Sequence, residues 1–413
     1  MEQSAESRRD ARAQKKAKAA IRKKWFLRIG IVVAAIALLA GIIILIASCS
    51  KREAPPEVDV GEDTVIHFVA GGDLPVTNKL ISVGERGYEE IFRDVAPLIA
   101  DADLSTLNLE GNLAGMPYGA STGSAPQSLA YALQKTGLDM IQLANSFSNS
   151  RGPSGLSTTI DSAIAAGLEP VGVFKNTAQF REKRGFSMFQ VQDIKIAVVA
   201  FTKGLNGMSL LEGDEDCVNL LYKDYDSTYQ KIDTDSINAV LDDIDREAPD
   251  LVIALVHWGS SFNDNISSTQ KSIVRLLQGR GVDAIIGTHP HYVQKLELNE
   301  ETGQFIAYSL GDFLPSEFSK NPVPDVVPVA GTEYSILLDL EITKSAATGE
   351  TKITSYSYTP LFSVSTENSL KVVRLLDAMA AYENGHLDAV SKDIYDDMVY
   401  AKKRIESRVK NGS

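Results

Sequence analysis

The sequence predicts an α/β protein whose folded body follows one N-terminal transmembrane helix. Short runs rich in valine and isoleucine alternate with helical stretches from residue 64 to residue 312, as they do in layered α/β folds. A charge-free stretch of 21 apolar residues, 29–49, precedes this body. Several of the β-runs end on a histidine, a carboxylate or an amide. In α/β sheets ligands bind where the strands end, so the pattern also predicts a site.

The N-terminal region is predicted to anchor the protein in the cell membrane. Residues 1–28 form a basic tail with ten Lys and Arg against three acids. At 1.5 Å per residue, the stretch 29–49 makes about 30 Å of helix, enough to cross a bilayer. The positive flank predicts a cytoplasmic N-terminus and an exported body. A lipoprotein is the alternative, because the sequence Ile-Ala-Ser-Cys at 46–49 resembles a lipobox, with lipidation at Cys49; either route tethers the body outside.

Charge and cysteine content limit the possible partners. Beyond the basic tail the chain has 31 basic and 51 acidic residues. This acidic body excludes nucleic acid as the partner, and a polyanionic substrate would need a local cationic or metal-bearing cleft. The two cysteines, Cys49 and Cys217, imply no disulfide framework.

The chain order supports five segments: the basic tail 1–28, the membrane anchor 29–49, a Pro-rich charged linker 50–63, a body 64–364 and a C-terminal helical extension 365–413. Within the body, Val- and Ile-rich runs followed by glycine predict buried parallel strands with crossover helices. The predicted strands are 64–73, 104–113, 138–146, 168–174, 194–202, 251–256, 284–287 and 305–311. The predicted helices are 87–103, 156–167, 237–248 and 269–281. Alternating residues predict a hairpin of 333–344 and 350–364, and the tail 368–410 is predicted as two amphipathic helices.

Three of the five histidines, His257, His289 and His291, lie within 35 residues of one another, each just past an apolar run. Neutral imidazole is a common ligand of zinc, iron and manganese. Each histidine alone is better explained as an ordinary half-buried residue at a strand end. The grouping of three favours a metal site, and Pro290 between the last two predicts an irregular loop that turns both toward it.

Other polar residues close β-runs in the same way. They are Asp73, Asn108, Glu110 and Asn145. Carboxylates, an amide and imidazoles are the ligand types of two-metal hydrolytic sites. Each residue also has a purely structural alternative: Asp73 could cap a turn, Glu110 could lie on the surface, and Asn145 and Asp312 could form Asx-turns. Their common position at strand ends favours the interpretation as metal ligands.

Seven motifs follow one another in the body: GGD at 71–73, NLEG at 108–111, LANS at 143–146, GPSGLSTTIDSAIAAGLEPVGVF at 152–174, HWG at 257–259, GVDAIIGTHPH at 281–291 and YSLGDF at 308–313. In these motifs and their order, the chain from about 64 to 364 resembles the capsule-synthesis, poly-γ-glutamate CapA family of the metallophosphatase (calcineurin-like) superfamily. The resemblance implies a metallophosphatase-like sandwich of two mixed β-sheets flanked by helices.

The resemblance also implies a site that holds one or two divalent metal ions, Mn, Fe or Zn. The implied metal ligands are Asp73, Glu110, Asn145, His257, His289 and His291. Among these, His257 and His291 are expected to take part in catalysis, while Asn108, Trp258 and Asp312 line the site.

The chain departs from the family pattern at residues that assist catalysis. Where the family has Ala-Asn-Asn-His, this sequence has Ala-Asn-Ser-Phe, ending at Phe147. The absent histidine acts as general acid or stabilises the transition state in related phosphoesterases, and losing a general acid costs ~10²- to 10⁴-fold in rate. In addition, Ser261 replaces an acid, Asn149 an aspartate, and Asp312 an asparagine.

Three functions follow as expectations. The first is a membrane-anchored extracytoplasmic protein acting in synthesis, export or attachment of an anionic capsule or cell-wall polymer such as poly-γ-glutamate, by metal-dependent hydrolysis or transfer. Its expected partners are the polymer and polymer-synthase membrane proteins. The second is a catalytically degenerate module that binds polymer or a partner, and the third a general metallophosphoesterase acting on small phosphorylated substrates.

Overall fold

Two β-sheets form the centre of the computed structural model, which describes residues 61–316, 332–367, 369–386 and 390–410. The predicted basic tail, the transmembrane segment with Cys49 and most of the linker lie outside the described residues. Within the described ranges, every helix is too short or too polar to cross a membrane.

The elements follow one another much as the sequence predicts. The strands are β1 (Thr64–Pro75), β2 (Leu104–Glu110), β3 (Met140–Gln142), β4 (Glu169–Val171), β5 (Ser187–Val191), β6 (Ile194–Thr202), β7 (Leu251–His257), β8 (Ala284–Thr288), β9 (Leu296–Asn299), β10 (Gln304–Ala307), β11 (Tyr334–Lys344), β12 (Thr351–Ser365) and β13 (Leu370–Arg374). The α-helices are α1 (Asn78–Val83), α2 (Tyr88–Phe92), α3 (Ala96–Ala100), α4 (Gln127–Lys135), α5 (Gly152–Ala166), α6 (Thr177–Lys183), α7 (Thr234–Glu247), α8 (Ser268–Gly279), α9 (Leu375–Glu383) and α10 (Lys392–Lys410).

Both sheets are mixed, as expected from the resemblance. The seven-stranded sheet has the order β13-β12-β11-β1-β2-β3-β4; β1 to β4 are parallel, and β11 to β13 are antiparallel additions. The six-stranded sheet has the order β5-β6-β7-β8-β10-β9, with a parallel centre and antiparallel edges. The predicted α/β class, with two mixed sheets flanked by helices, is confirmed.

The central strands β6, β7 and β8 of the six-stranded sheet are buried almost along their whole length and are mostly apolar, because both faces are covered. In β6, Ile196 and Val198 belong to the core shared with the seven-stranded sheet. Alternating with them along the strand, Ala197 and Val199 belong to a second core with residues of α7 and α8. The period of two along a strand therefore divides one apolar run between two cores.

The helices on the outer face begin and end at residues suited to those positions. Asp233 caps α7 by accepting a hydrogen bond from the Ser236 backbone N–H, as N-cap aspartates do. Its buried side chains recur at helical spacing, at Ile237, Val240, Leu241 and Ile244. This stripe packs α7 against β6 and β7.

Two predicted helical stretches are wrong in part. The stretch 87–103 contains two short helices, α2 and α3, because Pro97 in the first turn of α3 has no backbone N–H and cannot donate to the Arg93 carbonyl as a continuous helix requires. The tail begins with strand β13 before the two helices. Leu370 and Val372 are buried while Lys371 between them is half-exposed, an alternation typical of a strand.

Candidate metal centre

The polar residues predicted at strand ends lie close together at the carboxyl ends of β1, β2, β7 and β8. Asp73 and Glu110 lie in strands of the seven-stranded sheet, His257 closes β7 of the six-stranded sheet, and His289 directly follows β8. The segment after β10 joins them, since the Asp73 N–H donates to the Gly311 carbonyl over 3.0 Å. The parallel centres of both sheets therefore present their carboxyl ends to one site, where ligands bind in α/β folds.

A first group of potential metal ligands consists of Glu110, His257 and His289, all buried, with their ligand atoms within 4.8 Å of one another. His257 Nε2 lies 2.8 Å from Glu110 Oε1, and His289 Nδ1 lies 3.8 Å from the same oxygen. The two imidazole centroids are 4.3 Å apart. One carboxylate oxygen is thus faced by a nitrogen from each of two rings.

The hydroxyl of Thr202 sets the orientation of His257. It donates to the Gly204 carbonyl over 3.2 Å and lies 3.1 Å from His257 Nδ1, so Nδ1 is assigned as the donor to it. Burial lowers the pKa of His257, which keeps the ring neutral. The lone pair of Nε2 then faces the Glu110 carboxylate, an arrangement that a cation between them would satisfy.

His289 has the clearest mark of a ligand. Burial, followed by the neighbouring His257, lowers the pKa of His289 to about 3, so the ring is neutral. Its Nε2 lies 3.2 Å from Ser261 Oγ, whereas its buried Nδ1 has no hydrogen-bond partner among the described residues. Buried nitrogens are rarely left unpaired without a reason. The orphaned Nδ1 therefore fits a metal ion, and the imidazole and carboxylate donors are of the type that Zn, Fe and Mn accept.

A second group, Asp73, His291 and Asp312, lies beside the first. His291 Nδ1 is 2.7 Å from Asp312 Oδ1 and 4.0 Å from Asp73 Oδ2. Asp73 Oδ2 also accepts from the His289 backbone N–H over 2.8 Å, which ties the two groups together. Asp312 was predicted from the sequence only to line the site. In the structure its carboxylate is one of the potential metal ligands.

The loop that carries the two neighbouring histidines is irregular, as Pro290 predicts. His289 has φ of 89° and His291 has φ of 62°, the left-handed region that such residues seldom adopt. Residues in this conformation persist where the surroundings fix them, commonly at functional sites. The strained backbone turns one imidazole into each ligand group.

The charges of the second group depend on protons in the absence of metal. Burial alone would lower the pKa of His291, but the carboxylates of Asp312, Glu110 and Asp73 raise it to about 10. Burial raises the pKa of Asp312 to about 6 and that of Asp73 well above its usual value. Burial would also raise the pKa of Glu110, but His291 and His257 hold it well below the usual range. Without metal, bound protons neutralise part of the negative charge of the buried carboxylates, as a cation would.

Two asparagines form a chain of amides that ends on the Asp73 carboxylate. Asn108 Nδ2 donates to Asp73 Oδ1 over 2.5 Å, and Asn145 Nδ2 donates to Asn108 Oδ1 over 3.0 Å. Asn145 Oδ1 accepts from the Phe147 backbone N–H over 2.9 Å, which is the Asx-turn weighed as the structural alternative. The role of Asn145 as a metal ligand stays a prediction, while its contacts here orient Asn108 and, through it, Asp73.

Trp258, which was predicted to line the site, and Phe147, which departs from the family pattern, belong to neither group of potential ligands. Trp258 packs in the core on the helix side of the six-stranded sheet and donates from Nε1 to the Tyr308 carbonyl over 2.9 Å. Half-buried Phe147, which replaces the family histidine, lies so close to Gly123 that a Cβ there would be 2.9 Å from its ring. An apolar ring therefore packs against Gly123 at the position where the resemblance implied a histidine.

Thr202 and Phe262 contact predicted ligands but were not predicted as site residues from the sequence. Thr202 closes the β6 run just as His257 closes β7, so a polar residue at a strand end was the available signal. The ring of Phe262 stacks on His291 with centroids 4.6 Å apart. No local pattern marks Phe262, because it lies in a loop.

Comparison with known proteins relates the chain to capsule synthesis. A family model described as "Bacterial capsule synthesis protein PGA_cap" matches residues 67–317, more than half of the chain. The chain is 24% identical over 285 residues to "Capsule biosynthesis protein CapA" of Bacillus anthracis, covering 67% of this chain and 66% of that protein. It is 22% identical over 268 residues to "PGA biosynthesis protein CapA" of Bacillus subtilis strain 168, covering 63% and 66%.

The match spans just under two thirds of the length of each curated relative. Among solved structures, a crystal structure of a novel phosphatase from Mycoplasma pneumoniae superposes with a TM-score of 0.44 at 16% identity, over 73% of this chain and 95% of that one.

Proposed function

Because the chain belongs to the bacterial capsule synthesis family PGA_cap, we propose that it acts in synthesis, export or attachment of an anionic capsule or cell-wall polymer such as poly-γ-glutamate. The name of the Bacillus subtilis relative, which refers to PGA biosynthesis, supports this choice of polymer. The apolar stretch 29–49 and its basic flank support a single-pass anchor in the cell membrane with an exported body. The polymer and polymer-synthase membrane proteins are its proposed partners.

The proposal includes one or two divalent ions, Mn, Fe or Zn, held on a metallophosphatase-like scaffold. The single observation that carries it is the buried and orphaned Nδ1 of His289, which faces Glu110 beside the Nε2 of His257. Glu110, His257 and His289 would hold one ion, and Asp73, His291 and Asp312 a second. When bound, such ions supply Lewis acidity and lower the pKa of water.

The surrounding residues prepare these ligands for hydrolysis or transfer. Thr202 fixes the ring of His257, and Asn108 fixes the carboxylate of Asp73. In the metal-free state His291 holds a proton against Asp312, and that proton must leave when a cation enters. Groups oriented in this way lose little freedom when a substrate binds.

A second candidate function is a degenerate module that binds polymer or a partner protein without turnover. It is favoured by Phe147, whose half-buried ring lies against Gly123 at the position where the family resemblance implies a histidine. Under this proposal the ligand groups would retain metal for structure or for polymer binding. A general metallophosphoesterase remains the third candidate and is distinguished by its substrates.

Elemental analysis of the purified full-length protein tests the metal centre. We expect stoichiometric transition metal in the wild type and its loss in the double variant His289→Ala/His291→Ala. The matched control is His67→Ala, since His67 lies half-exposed on β1 and bonds Asp339 over 3.0 Å, outside both ligand groups. A wild-type protein that takes up no metal after reloading with manganese, iron and zinc would contradict the metal centre.

Substrate screens then separate the three functions. Hydrolysis or transfer of γ-glutamyl substrates supports the leading proposal, and turnover of simple phosphate esters supports a general phosphoesterase. Phe147→His restores a group able to act as general acid, so an enzyme should gain about 10²-fold in rate, with Phe147→Leu as the apolar control. Bound metal with no turnover in either variant would support the binding module.

A further inference from the structure

The loop 259–267, which follows β7, covers one side of the candidate metal centre. Phe262 in this loop stacks on the imidazole of His291, with an angle of 20° between the ring planes, and meets Tyr292 edge-on with centroids 6.3 Å apart. Phe262 has φ of 54°, a left-handed conformation that is rare for an aromatic residue. Contacts from outside the loop must therefore hold it in place.

Those contacts come from the C-terminal helix α10. Asp264 Oδ2, two residues after Phe262, accepts hydrogen bonds from Nη2 of both Arg404 and Arg408. Positions four apart lie on one face of a helix, so both guanidinium groups reach the same carboxylate. The side chains of Asp264, Arg404 and Arg408 are only 22%, 27% and 31% exposed, and shielded charges of this kind interact more strongly than surface pairs.

Helix α10 is itself fixed to the body. Its buried side chains Met398, Ala401, Ile405 and Val409 belong to the main core, and the helix contacts β11 and β12. It lies outside residues 67–317, the segment that the family model matches. The contact of α10 with Asp264 thus links a helix outside the family segment to the loop whose Phe262 stacks on His291.

We infer that α10 is a positioning element of the candidate metal centre: through Asp264 it holds the 259–267 loop so that Phe262 covers His291. The inference deepens the proposed function and rests on it insofar as His291 is a metal ligand. Phe262 shields one face of the His291 ring from water, which strengthens the pairing of that ring with Asp312 or with a cation. Asp264, Arg404 and Arg408 act through the loop, in which Phe262 stacks on His291 and Ser261 Oγ lies 3.2 Å from His289 Nε2.

The loop has a second attachment that makes the contact testable without unfolding the protein. Gln294 Nε2 donates to the Asn263 carbonyl over 2.8 Å, so the loop stays tethered when Asp264 is changed. We expect Asp264→Asn to loosen Phe262 while the sheets stay intact. The matched control is Lys402→Gln, because Lys402 lies on the same helix but pairs with Glu406 over 2.8 Å.

The first experiment measures, by mass spectrometry, how fast diethyl pyrocarbonate modifies His291 in the metal-free full-length protein. The reagent acylates only the neutral imidazole, so every variant is compared with the wild type at the same alkaline pH. Asp264→Asn and Phe262→Ala should each raise the rate at least about fivefold, and the double variant should equal Phe262→Ala alone because both act through one ring. Lys402→Gln should leave the rate unchanged. The variant Arg404→Gln/Arg408→Gln serves as the second test should Asp264→Asn lower the unfolding temperature.

The second experiment measures Mn²⁺ affinity in the same proteins, where Asp264→Asn should weaken binding about tenfold. An unchanged modification rate in folded Asp264→Asn, or additive effects with Phe262→Ala, overturns the inference. A faster rate with unchanged Mn²⁺ affinity also overturns it, since the loop would then cover His291 without positioning a ligand. Absence of Mn²⁺ binding by the wild type contradicts the proposed function instead, and the modification rates still decide whether α10 controls Phe262.

Discussion

The hydroxyl of Thr202 determines which nitrogen of His257 faces Glu110, and it does so from a core strand. We expect Thr202→Val to weaken metal binding about 10- to 100-fold, as loss of such supporting contacts does. It should also destabilise the protein by about 1–3 kcal/mol, because the buried Nδ1–H of His257 loses its acceptor. Metal titration and denaturant unfolding measure the two effects separately.

Thr106 provides the matched control for this substitution. It lies buried on β2, and its hydroxyl makes no hydrogen bond within the described ranges. Thr106→Val should therefore leave both metal affinity and the free energy of unfolding nearly unchanged. Equal losses in the two variants would mean that the hydroxyl of Thr202 has no special role at the site.

Metal affinity should rise with pH because the ligands bind protons in the metal-free protein. The pKa of His291 is raised to about 10, so a proton must leave it whenever metal binds below that pH. Between pH 6.5 and 8.5 the apparent affinity should gain about tenfold per pH unit. Below pH 6 the slope should steepen, since Asp312, with a pKa of about 6, then holds a second proton.

A Mn²⁺ titration series from pH 5 to pH 8.5 checks this dependence. Asp312→Asn is the comparison variant, because the charge of Asp312 is the largest of those that raise the pKa of His291. In that variant the slope near neutral pH should become shallower. An affinity that is independent of pH in the wild type would show that His291 gives up no proton on binding.

At the scale of elements, the carboxyl end of β1 must approach the segment after β10 closely. A Cβ on Gly72 would lie 1.8 Å from the Gly311 carbonyl oxygen, so Gly72→Ala forces the two backbones apart and moves Asp312 away from Asp73. We expect a loss of about 1–3 kcal/mol in the free energy of unfolding together with loss of bound metal. Denaturant unfolding and elemental analysis measure both.

The neighbouring glycine is the control for this substitution. A Cβ on Gly71 would lie 3.2 Å from a ring carbon of Phe313 and 3.4 Å from Leu107 Cβ, and a side chain can give way by such an amount more readily than a backbone. Gly71→Ala should therefore cost less and keep its metal. Metal content that is retained in Gly72→Ala would contradict the importance of the approach.

The strands could be predicted from the sequence more fully than the helices. The run 194–202 is apolar except for Lys195 and the closing Thr202, and it matches β6, because burial on both faces leaves a strong signal. The predicted helix 87–103 failed at Pro97, where the local effect of proline outweighed the amphipathic pattern. Residues 370–374 are too few for their alternation to stand out from a helix, and pairing with β12 decides their structure.

At the scale of the whole molecule, the candidate site could be predicted where its residues lie at strand ends or in motifs of the family resemblance. Five of the six predicted ligands belong to the two groups of potential ligands, together with Asp312, which was predicted only to line the site. The sixth predicted ligand, Asn145, belongs to neither group. Contacts such as that of Asp264 with Arg404, which lie 140 residues apart, leave no local pattern. They follow only from the packing of α10 on the sheets, which the sequence does not specify by periodicity.

Metal should stabilise the whole molecule, because ligands from both sheets come together only in the folded chain. Mn²⁺ at 100 times its Kd adds about 2.7 kcal/mol, which should raise the unfolding temperature by roughly 3–8 °C over protein treated with EDTA. The control ion is Ca²⁺, since a chain of net charge −13 attracts any divalent cation, while Ca²⁺ prefers oxygen ligands to imidazole. Calorimetry should show the shift with Mn²⁺ in the wild type and lose it in His289→Ala/His291→Ala. An equal shift with Ca²⁺ would assign the effect to the acidic surface rather than to the histidine centre.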